Sequence, residues 1–233
     1  MKILFWTGNL YYWNLTLLEK LKLIKSLNLF DWVEISCVNH RYKFSSEELD
    51  ILKTFNTNTY HLGVFNKNEI DYCNYITETL PNFSHFVLHP DIAIFEEIPD
   101  NLKKYISIEN MDTAKKSYRT PNELKDLFEK YPELSFTFDI NHCDENKIRR
   151  QDFLDIRTPK QIHLSAVNDN YYLDNPEIKT PHALTYLNKD FLLDINFNNP
   201  NLIVTFEWVV SNNNIESIIN EYNFCKNILE KSI

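Results

Sequence analysis

The sequence predicts an α/β fold, a single (β/α)₈ barrel that spans residues 1–233. Three observations support this prediction: eight β-like runs alternate with amphipathic segments, the length suits one domain, and several later runs end in polar residues that can bind metal. Strict alternation of strands and helices favours a parallel sheet covered by helices, and eight repeats are the number that closes such a barrel. An open, doubly wound sheet is the alternative architecture.

The eight runs have the apolar composition of buried strands. In chain order they cover residues 2–6, 33–38, 58–64, 84–89, 105–109, 135–139, 161–165 and 202–207. Amphipathic segments lie between them, at residues 15–24, 46–52, 69–76 and 122–128, and a further one covers residues 215–229. Ser45 and Thr120 offer N-cap hydroxyls, and Thr120 is followed by Pro121 at the first helical position and by Glu123. We expect the irregular stretches 90–101, 141–159 and 167–181 to form loops of the active face.

Composition excludes several classes of protein. Hydrophobic residues make up 43% of the chain and charged residues 24%, as in ordinary globular domains. A net charge of −9 argues against nucleic acid as a partner, because Lys and Arg contacts to phosphate supply most non-specific affinity. No run resembles a signal peptide or approaches a membrane span. We therefore expect a soluble, cytoplasmic protein with a small-molecule substrate, and its oligomeric state stays open.

Cysteine and glycine usage narrows the chemistry further. Cys37, Cys73, Cys143 and Cys225 form no CxxC pair, which indicates free thiols rather than disulfides or a zinc knuckle. Gly8 and Gly63 are the only glycines, so the chain lacks a P-loop and a dinucleotide-binding fingerprint. Nucleotide cofactors are therefore not expected.

Four strand-like runs in the second half end in a potential metal ligand. These residues, called the central set below, are Glu109, Asp139, His163 and Glu207. In a barrel the C-terminal ends of all strands meet on one face, so residues far apart in sequence become neighbours there. Taken singly, each residue could serve an ion pair or a buried hydrogen bond, but three carboxylates and one imidazole at buried strand ends can satisfy one another through a cation. The oxygen-rich set suits Mg²⁺ or Mn²⁺.

Further residues at strand ends are candidates for additional metal ligands or for substrate contacts. Four of them, called the flanking histidines below, are His61, His89, His142 and His182. A strand-end imidazole bonded to a backbone carbonyl is the alternative for His61 and His89. Trp6, Asn110 and Trp208 are candidate substrate-binding residues, and the two tryptophans could equally belong to the core.

Five short motifs in chain order carry a resemblance to a known family. They are His89-Pro-Asp, Ile108-Glu-Asn, Asp139-Ile-Asn-His, Ile162-His-Leu-Ser and Phe206-Glu-Trp. Over nearly its whole length the chain resembles the xylose-isomerase-like barrels. The resemblance implies a divalent-metal site with the central set as ligands, and in the epimerase branch Glu109 and Glu207 also transfer protons through a metal-stabilised enediolate. It thus implies a metal-dependent isomerase or epimerase of a small sugar or polyhydroxy carbonyl compound.

The flanking histidines leave other reactions open. Endonuclease IV-like phosphodiesterases, which use several zinc ions for DNA repair, and multinuclear iron oxidases that modify peptides carry histidines at similar positions. Their Asp-x-His motif is replaced here by Thr180-Pro-His182, which puts a third metal in doubt unless Asp169, Asp174 or Glu177 substitutes. A barrel without catalytic activity is a further alternative, because fold does not determine function.

Overall fold

The computed structural model describes residues 2–36, 43–65, 69–80, 82–167, 182–188, 191, 193, 195, 201–208, 210 and 214–231. Eight parallel strands form a closed barrel in the order β1-β10-β7-β6-β5-β4-β3-β2. Their bounds are β1 Lys2–Trp6, β2 Trp32–Ser36, β3 Thr57–Phe65, β4 Phe83–Ala93, β5 Ile106–Glu109, β6 Ser135–Asp139, β7 Gln161–Leu164 and β10 Ile203–Phe206. The predicted (β/α)₈ barrel is confirmed.

Helices connect most consecutive strands. They are α1 Leu17–Leu27, α2 Ser46–Leu52, α3 Ile70–Thr79, α4 Asp100–Lys103, α5 Pro121–Lys130, α6 Ile140–Glu145, α7 Arg150–Leu154 and α8 Ile215–Lys231. Capping boxes begin α1 at Thr16, α2 at Ser45 and α5 at Thr120, each with a glutamate three residues later that bonds back to the cap. Within the described residues, no helix has the length and apolarity needed to cross a bilayer.

The strands bury both faces, but the two faces differ in chemistry. Successive side chains of a strand point to opposite sides of the barrel wall. The outward side chains pack under the helices in the hydrophobic core; they include Phe5, Val33, Ile35, Tyr60, Ile106, Ile108, Phe136, Phe138, Ile162, Leu164, Val204 and Phe206. Most of the alternate, inward positions are polar and buried, although Leu4, Val87 and Ile203 are apolar. The polar ones include Glu34, Thr59, His61, Ser107, Glu109, Thr137, Asp139, Gln161, His163, Thr205 and Glu207. The barrel interior is therefore largely polar, and an apolar shell surrounds it.

The structure differs from the prediction mainly in the loops. The strand predicted at 84–89 continues as β4 to Ala93, where Phe65 of β3 pairs with it, so the stretch 90–101 is partly strand. The stretch 141–159 contains most of α6 and all of α7. His182 lies in a two-residue strand, β9 His182–Ala183, that pairs antiparallel with β8 Ala166–Val167. The extension of β4 and the β8–β9 pair depend on pairing with another strand, which the local period of hydrophobic residues cannot predict.

Candidate metal centre

The four residues of the central set meet at the C-terminal end of the barrel. All four are buried, and each offers one ligand atom that lies within 4.8 Å of the others. Nδ1 of His163 is 2.9 Å from Oε1 of Glu109 and 3.8 Å from Oδ2 of Asp139, and it also contacts Oε2 of Glu207. The ring nitrogen thus faces three carboxylates, as expected for ligands that surround one cation.

Strand register explains this convergence. Glu109 and Asp139 are the last residues of β5 and β6, and His163 pairs with Asp139 across the β6–β7 ladder. Thr205 of β10 pairs with His163, so Glu207, two residues further on, projects from the same side of the wall above it. The one-ligand-per-strand pattern therefore becomes a single cluster when the barrel closes.

The buried carboxylate oxygens support a cation at this place. Among the described residues, the buried Oδ2 of Asp139 has no hydrogen-bond partner, and Oε1 of Glu109 and Oε2 of Glu207 both contact Nδ1 of the same imidazole. A buried charge or polar atom without a partner is costly, and a divalent cation would satisfy these three oxygens together with Nδ1 of His163. The donor set of oxygens plus one imidazole fits Mn²⁺ or Mg²⁺, and it also accepts Zn²⁺ or Fe²⁺.

Electrostatics in the protein without metal show how strongly these groups interact. Burial opposes protonation of His163, but the carboxylates of Glu207 and Glu109 outweigh it and hold the pKa of His163 well above its ordinary value. Burial, together with the neighbouring Glu207, raises the pKa of Asp139 well above its ordinary value. Burial by itself would raise the pKa of Glu207, but the neighbouring His163 outweighs this effect and lowers the pKa to about 2. The carboxylates around His163 thus favour positive charge at this place.

Two flanking histidines extend the cluster on the side of Glu109. Nε2 of His61 is 3.4 Å and Nε2 of His89 is 3.2 Å from Oε2 of Glu109, the oxygen that points away from His163. The two Nε2 atoms lie 3.0 Å apart. His61, His89 and Glu109 form a second group of suitable ligands, which shares Glu109 with the central set.

The other two flanking histidines lie on the side of Asp139. Asp139, His142 and His182 form a third group whose ligand atoms are mutually within 4.8 Å. Nδ1 of His142 is 2.8 Å from the carbonyl oxygen of Asn110, and Nδ1 of His182 is 2.9 Å from Oγ of Ser165. The carbonyl acceptor places a proton on Nδ1 of His142, so Nε2 is the candidate ligand atom of that ring, and Ser165 orients the ring of His182. Asp169, Asp174 and Glu177, considered as a replacement carboxylate, lie outside the described residues.

Two buried asparagines hold the strand ends that carry ligands. Asn110 donates from Nδ2 to the carbonyl of Asp139 and accepts the Asp139 N–H, both at 2.8 Å. Asn9 does the same around Glu207: its Nδ2 donates to the carbonyl of Phe206 at 2.8 Å, and its Oδ1 accepts the Trp208 N–H at 3.0 Å. The sequence predicted Asn110 as a substrate contact and did not single out Asn9. Both amides are engaged with the main chain.

The two tryptophans proposed as substrate contacts occupy different environments. Trp6 is half-buried, and its ring centroid lies 5.8 Å from that of His61, beside the second ligand group. Trp208 is fully buried, edge-to-face with Phe5 at 5.6 Å and stacked on Phe206. Trp6 thus borders the metal centre, whereas Trp208 packs in the core beneath the helices.

Glu34 on β2 was missed by the sequence analysis. It is completely buried in the barrel interior, and it forms another ligand group with His61 and His163. An acidic residue between Val33 and Ile35 in a buried strand is the signal that could have revealed it. Cys143 donates from Sγ to the carbonyl of Ile148, and burial raises the pKa of its thiol to about 12, which disfavours the thiolate form. Cys37 lies outside the described residues.

Comparison with known proteins gives structural relatives only. No family model and no curated protein matches the chain. The probable 3-DHS dehydratase AsbF from Bacillus anthracis, involved in petrobactin synthesis, is 11% identical, with a TM-score of 0.61 over 97% of this chain and 99% of that one. D-psicose 3-epimerase from Clostridium cellulolyticum H10 is 10% identical, with a TM-score of 0.61 over 98% of this chain and 99% of that one.

A third solved structure is the 3-keto-D-glucoside 4-epimerase YcjR from E. coli. It is 14% identical, with a TM-score of 0.59 over 97% of this chain and 99% of that one. TM-scores of 0.59 to 0.61 show that the chain shares the fold of these proteins, which is the fold that the resemblance implied, and identities of 10% to 14% show no more than that. The chemistry must be argued from the residues of the metal centre itself.

Proposed function

We propose that the protein is a divalent-metal-dependent enzyme that isomerises or epimerises a small sugar or another polyhydroxy carbonyl compound. The observation that carries this proposal is the convergence of the central set, in which two glutamates, Glu109 and Glu207, contact Nδ1 of the same imidazole from different strands. The named activities of the two epimerases with the same fold, which act on sugars, are consistent with it.

The residues have distinct parts in such a reaction. Glu109, Asp139, His163 and Glu207 would hold the cation, and the bound cation would acidify the C–H bond beside a carbonyl by polarising the substrate oxygens. Glu109 and Glu207 are the catalytic residues in this proposal: one carboxylate takes the proton from carbon, and the other returns it. Trp6, half-buried beside His61, is suited to pack against the face of a sugar ring.

The polar barrel interior and the apolar shell around it support this chemistry physically. Carboxylates whose charge is buried attract a cation strongly, and a site enclosed by protein keeps water from the carbanion-like transition state. Asn110 and Asn9 hold the ligand-bearing strand ends in place through paired hydrogen bonds to the main chain. The ligands are therefore oriented before metal and substrate arrive.

Metal analysis and a substrate assay test the proposal together. The protein is purified without added metal, reconstituted with Mn²⁺ or Mg²⁺, and measured for metal content by mass spectrometry and for exchange of substrate C–H protons with deuterated water. We expect one tightly held ion per chain in the wild type, none in Glu207→Ala, and exchange only in the loaded wild type. Lack of metal binding after reconstitution would overturn the proposal.

A second function is supported by a specific observation, the arrangement of the flanking histidines. His61 and His89 join Glu109, and His142 and His182 join Asp139, so three ligand groups overlap through shared carboxylates. Such an arrangement suits a multinuclear site for zinc or iron, as in a phosphodiesterase of the endonuclease IV type or in an iron oxidase acting on a peptide. The net charge of −9 speaks against DNA as a substrate.

Metal stoichiometry distinguishes the two functions. A single Mn²⁺ or Mg²⁺ per chain supports isomerisation, whereas two or three Zn or Fe ions support the multinuclear alternatives. Variants His89→Ala and His182→Ala sharpen the result, because each removes one ligand from an outer group and leaves the central set intact. Loss of one ion per chain in either variant would assign that outer group as a metal site.

A further inference from the structure

Glu34 is a carboxylate enclosed in the barrel beneath the central set. It projects inward from the middle of β2, and none of its side chain reaches solvent. Its Oε2 accepts a hydrogen bond from Oγ1 of Thr59 at 2.7 Å and another from Nε2 of Gln161. Nε2 of Gln161 also donates to Oγ1 of Thr205 at 2.9 Å, so both protons of this amide are used. The same nitrogen lies 2.8 Å from Nε2 of His163, which therefore accepts no proton from it. One carboxylate oxygen of Glu34 thus accepts hydrogen bonds from two buried side chains that lie below the candidate metal centre.

The other oxygen of Glu34 points at two metal-ligand candidates. Oε1 lies 3.3 Å from Nε2 of His163 and 3.6 Å from Nδ1 of His61, which is also 3.8 Å from Oε1 of Glu207. Among the described residues, Oε1 of Glu34 and Nδ1 of His61 are both buried polar atoms without a hydrogen-bond partner, and they face each other. A buried acceptor opposite a buried ring nitrogen is satisfied when that nitrogen carries a proton.

The same two rings present their other nitrogens to the metal centre. Nδ1 of His163 faces Glu109 and Glu207, and Nε2 of His61 faces Glu109. A neutral imidazole carries one N–H, so a proton on the nitrogen that faces Glu34 leaves the opposite nitrogen free to bind metal. Glu34 therefore lies where one acceptor can set the tautomer of two rings.

We propose that Glu34 is a positioning residue that accepts hydrogen bonds from His163 Nε2–H and His61 Nδ1–H and so keeps the opposite ring nitrogens unprotonated toward the metal centre. The inference rests on the proposed metal-dependent function, and it adds a link between two ligand groups. His163 belongs to the central set and His61 to the group with His89, so a single buried carboxylate orients ligands of both.

The substitution Glu34→Gln tests this role with little change in shape. In the variant, Thr59 and Gln161 both still donate to the position of Oε2, which keeps the amide oxygen there and turns the amide NH₂ toward the two rings. A donor in that place favours the opposite tautomers, with N–H groups directed at the metal. We expect the affinity for Zn²⁺ and Mn²⁺, measured by chelator competition, to fall about 10- to 100-fold.

Glu221→Gln is the matched control, because Glu221 is also a fully buried glutamate but lies on α8 and accepts the backbone N–H groups of Thr185 and Tyr186. It should leave metal affinity unchanged.

A direct readout uses the zinc-loaded wild type: long-range ¹H–¹⁵N correlation spectra should show the proton of His163 on Nε2 and that of His61 on Nδ1. This spectrum decides the proposal even if the Glu34 variant fails to fold.

The outcomes separate this inference from the proposed function. Weaker metal binding in Glu34→Gln, with the same number of ions per chain at saturation and with the expected tautomers in the wild type, supports the positioning role. Unchanged metal affinity in Glu34→Gln, or the opposite tautomers in the wild type, would overturn it. One fewer ion per chain at saturation in Glu34→Ala would also overturn it, because Glu34 would then be a ligand itself. Wild-type protein that binds no metal would overturn the proposed function and this inference together.

Discussion

Asn110 and Asp139 hold each other through two hydrogen bonds, in which the Asn110 amide spans the carbonyl and the N–H of Asp139 at 2.8 Å each. The carbonyl of Asn110 in turn lies 2.8 Å from Nδ1 of His142. One residue after β5 thereby sets the position of a ligand on β6 and the orientation of a ring on α6. Such side-chain contacts to the main chain hold the residues of the candidate metal centre in place.

The substitution Asn110→Ala should weaken both the fold and the metal site. It leaves a buried N–H and a buried carbonyl of Asp139 without their partners, which should lower the free energy of unfolding by about 2 to 3 kcal/mol. Urea denaturation of the metal-free protein measures the loss, and chelator competition should show weaker metal binding. Asn82→Ala is the control: it removes a single bond to the carbonyl of Phe55, away from the ligands. Equal metal affinity in all three proteins would contradict a role of Asn110 in the site.

Metal loading should stabilise the protein strongly. A ligand that binds only the folded state, at a free concentration 100 times its Kd, adds about 2.7 kcal/mol to the free energy of unfolding. For a chain of this size that corresponds to a rise in Tm of about 5 to 10 °C. Differential scanning calorimetry with and without Mn²⁺ measures the shift, and Glu207→Ala should abolish most of it. If Glu207→Ala still showed the full rise in Tm with Mn²⁺, the ion would bind at another place in the protein.

The metal-free protein should lose stability as the pH rises above neutrality. Burial opposes protonation of His61 and His142, but their carboxylate neighbours outweigh it and raise the pKa of His61 to about 10 and that of His142 to about 9. A group whose pKa is raised on folding stabilises the folded state fully below its unfolded pKa, about 6.5 for histidine, and this contribution is lost as the pH rises through the folded pKa.

The free energy of unfolding of the metal-free protein should therefore fall between pH 6.5 and about pH 10, as measured by denaturant titrations at several pH values. The increment gained on metal binding should instead grow over the lower part of this range, because ligand imidazoles must lose their protons to bind. The double variant with His61→Gln and His142→Gln should show a flatter profile without metal. A wild-type profile that rises with pH would contradict the expectation.

Trp6 and Gly8 provide a test of the proposed contact between Trp6 and the substrate. A side chain at Gly8 would meet the ring of Trp6, since a Cβ built there lies 2.3 Å from ring atoms. Gly8→Ala should therefore displace the indole from its place beside His61 and imitate Trp6→Ala. We expect both variants to raise KM for a substrate identified by the exchange assay while metal content stays at the wild-type level. An unchanged KM in Gly8→Ala would show that the position of the Trp6 indole does not affect substrate binding.

Trp208 should behave in the opposite way. Its ring is buried against Phe5 and Phe206, so Trp208→Ala leaves a cavity and should cost about 3 to 5 kcal/mol of stability. Trp208→Phe, which keeps an aromatic ring in the core, should cost considerably less. Thermal unfolding of the two variants checks the order. A Trp208→Ala protein of wild-type stability but altered KM would favour the substrate contact that the sequence predicted.

Much of the fold and of the candidate site follows from local patterns in the sequence. The outward Phe136 and Phe138 alternate with the inward Thr137 and Asp139, and this period of two marks a strand with its carboxylate at the end. Thr120, Pro121 and Glu123 mark the start of α5 by their capping chemistry alone. Such signals involve residues within a few positions of one another, so no tertiary information is needed to interpret them.

Glu34 illustrates what local patterns miss. Its hydrogen bond to Gln161 joins residues 127 positions apart, and its neighbours in sequence are apolar. Asn110 was predicted as a substrate contact, yet its amide forms hydrogen bonds with the main chain of Asp139 at the end of the next strand. In both cases the partner is determined by which strands the closed barrel brings together.

The sequence by itself determined the alternation of eight strands with helices and the order of Glu109, Asp139, His163 and Glu207 at strand ends, because the period of hydrophobic residues is a local property of the chain. Only the tertiary structure decided that His61 and His89 face Glu109, that His142 and His182 face Asp139, and that Glu34 lies under two rings. The physical reason is barrel closure: it turns separations of tens of residues into contacts of 3 to 4 Å, and such contacts select the protonation and orientation of each ring.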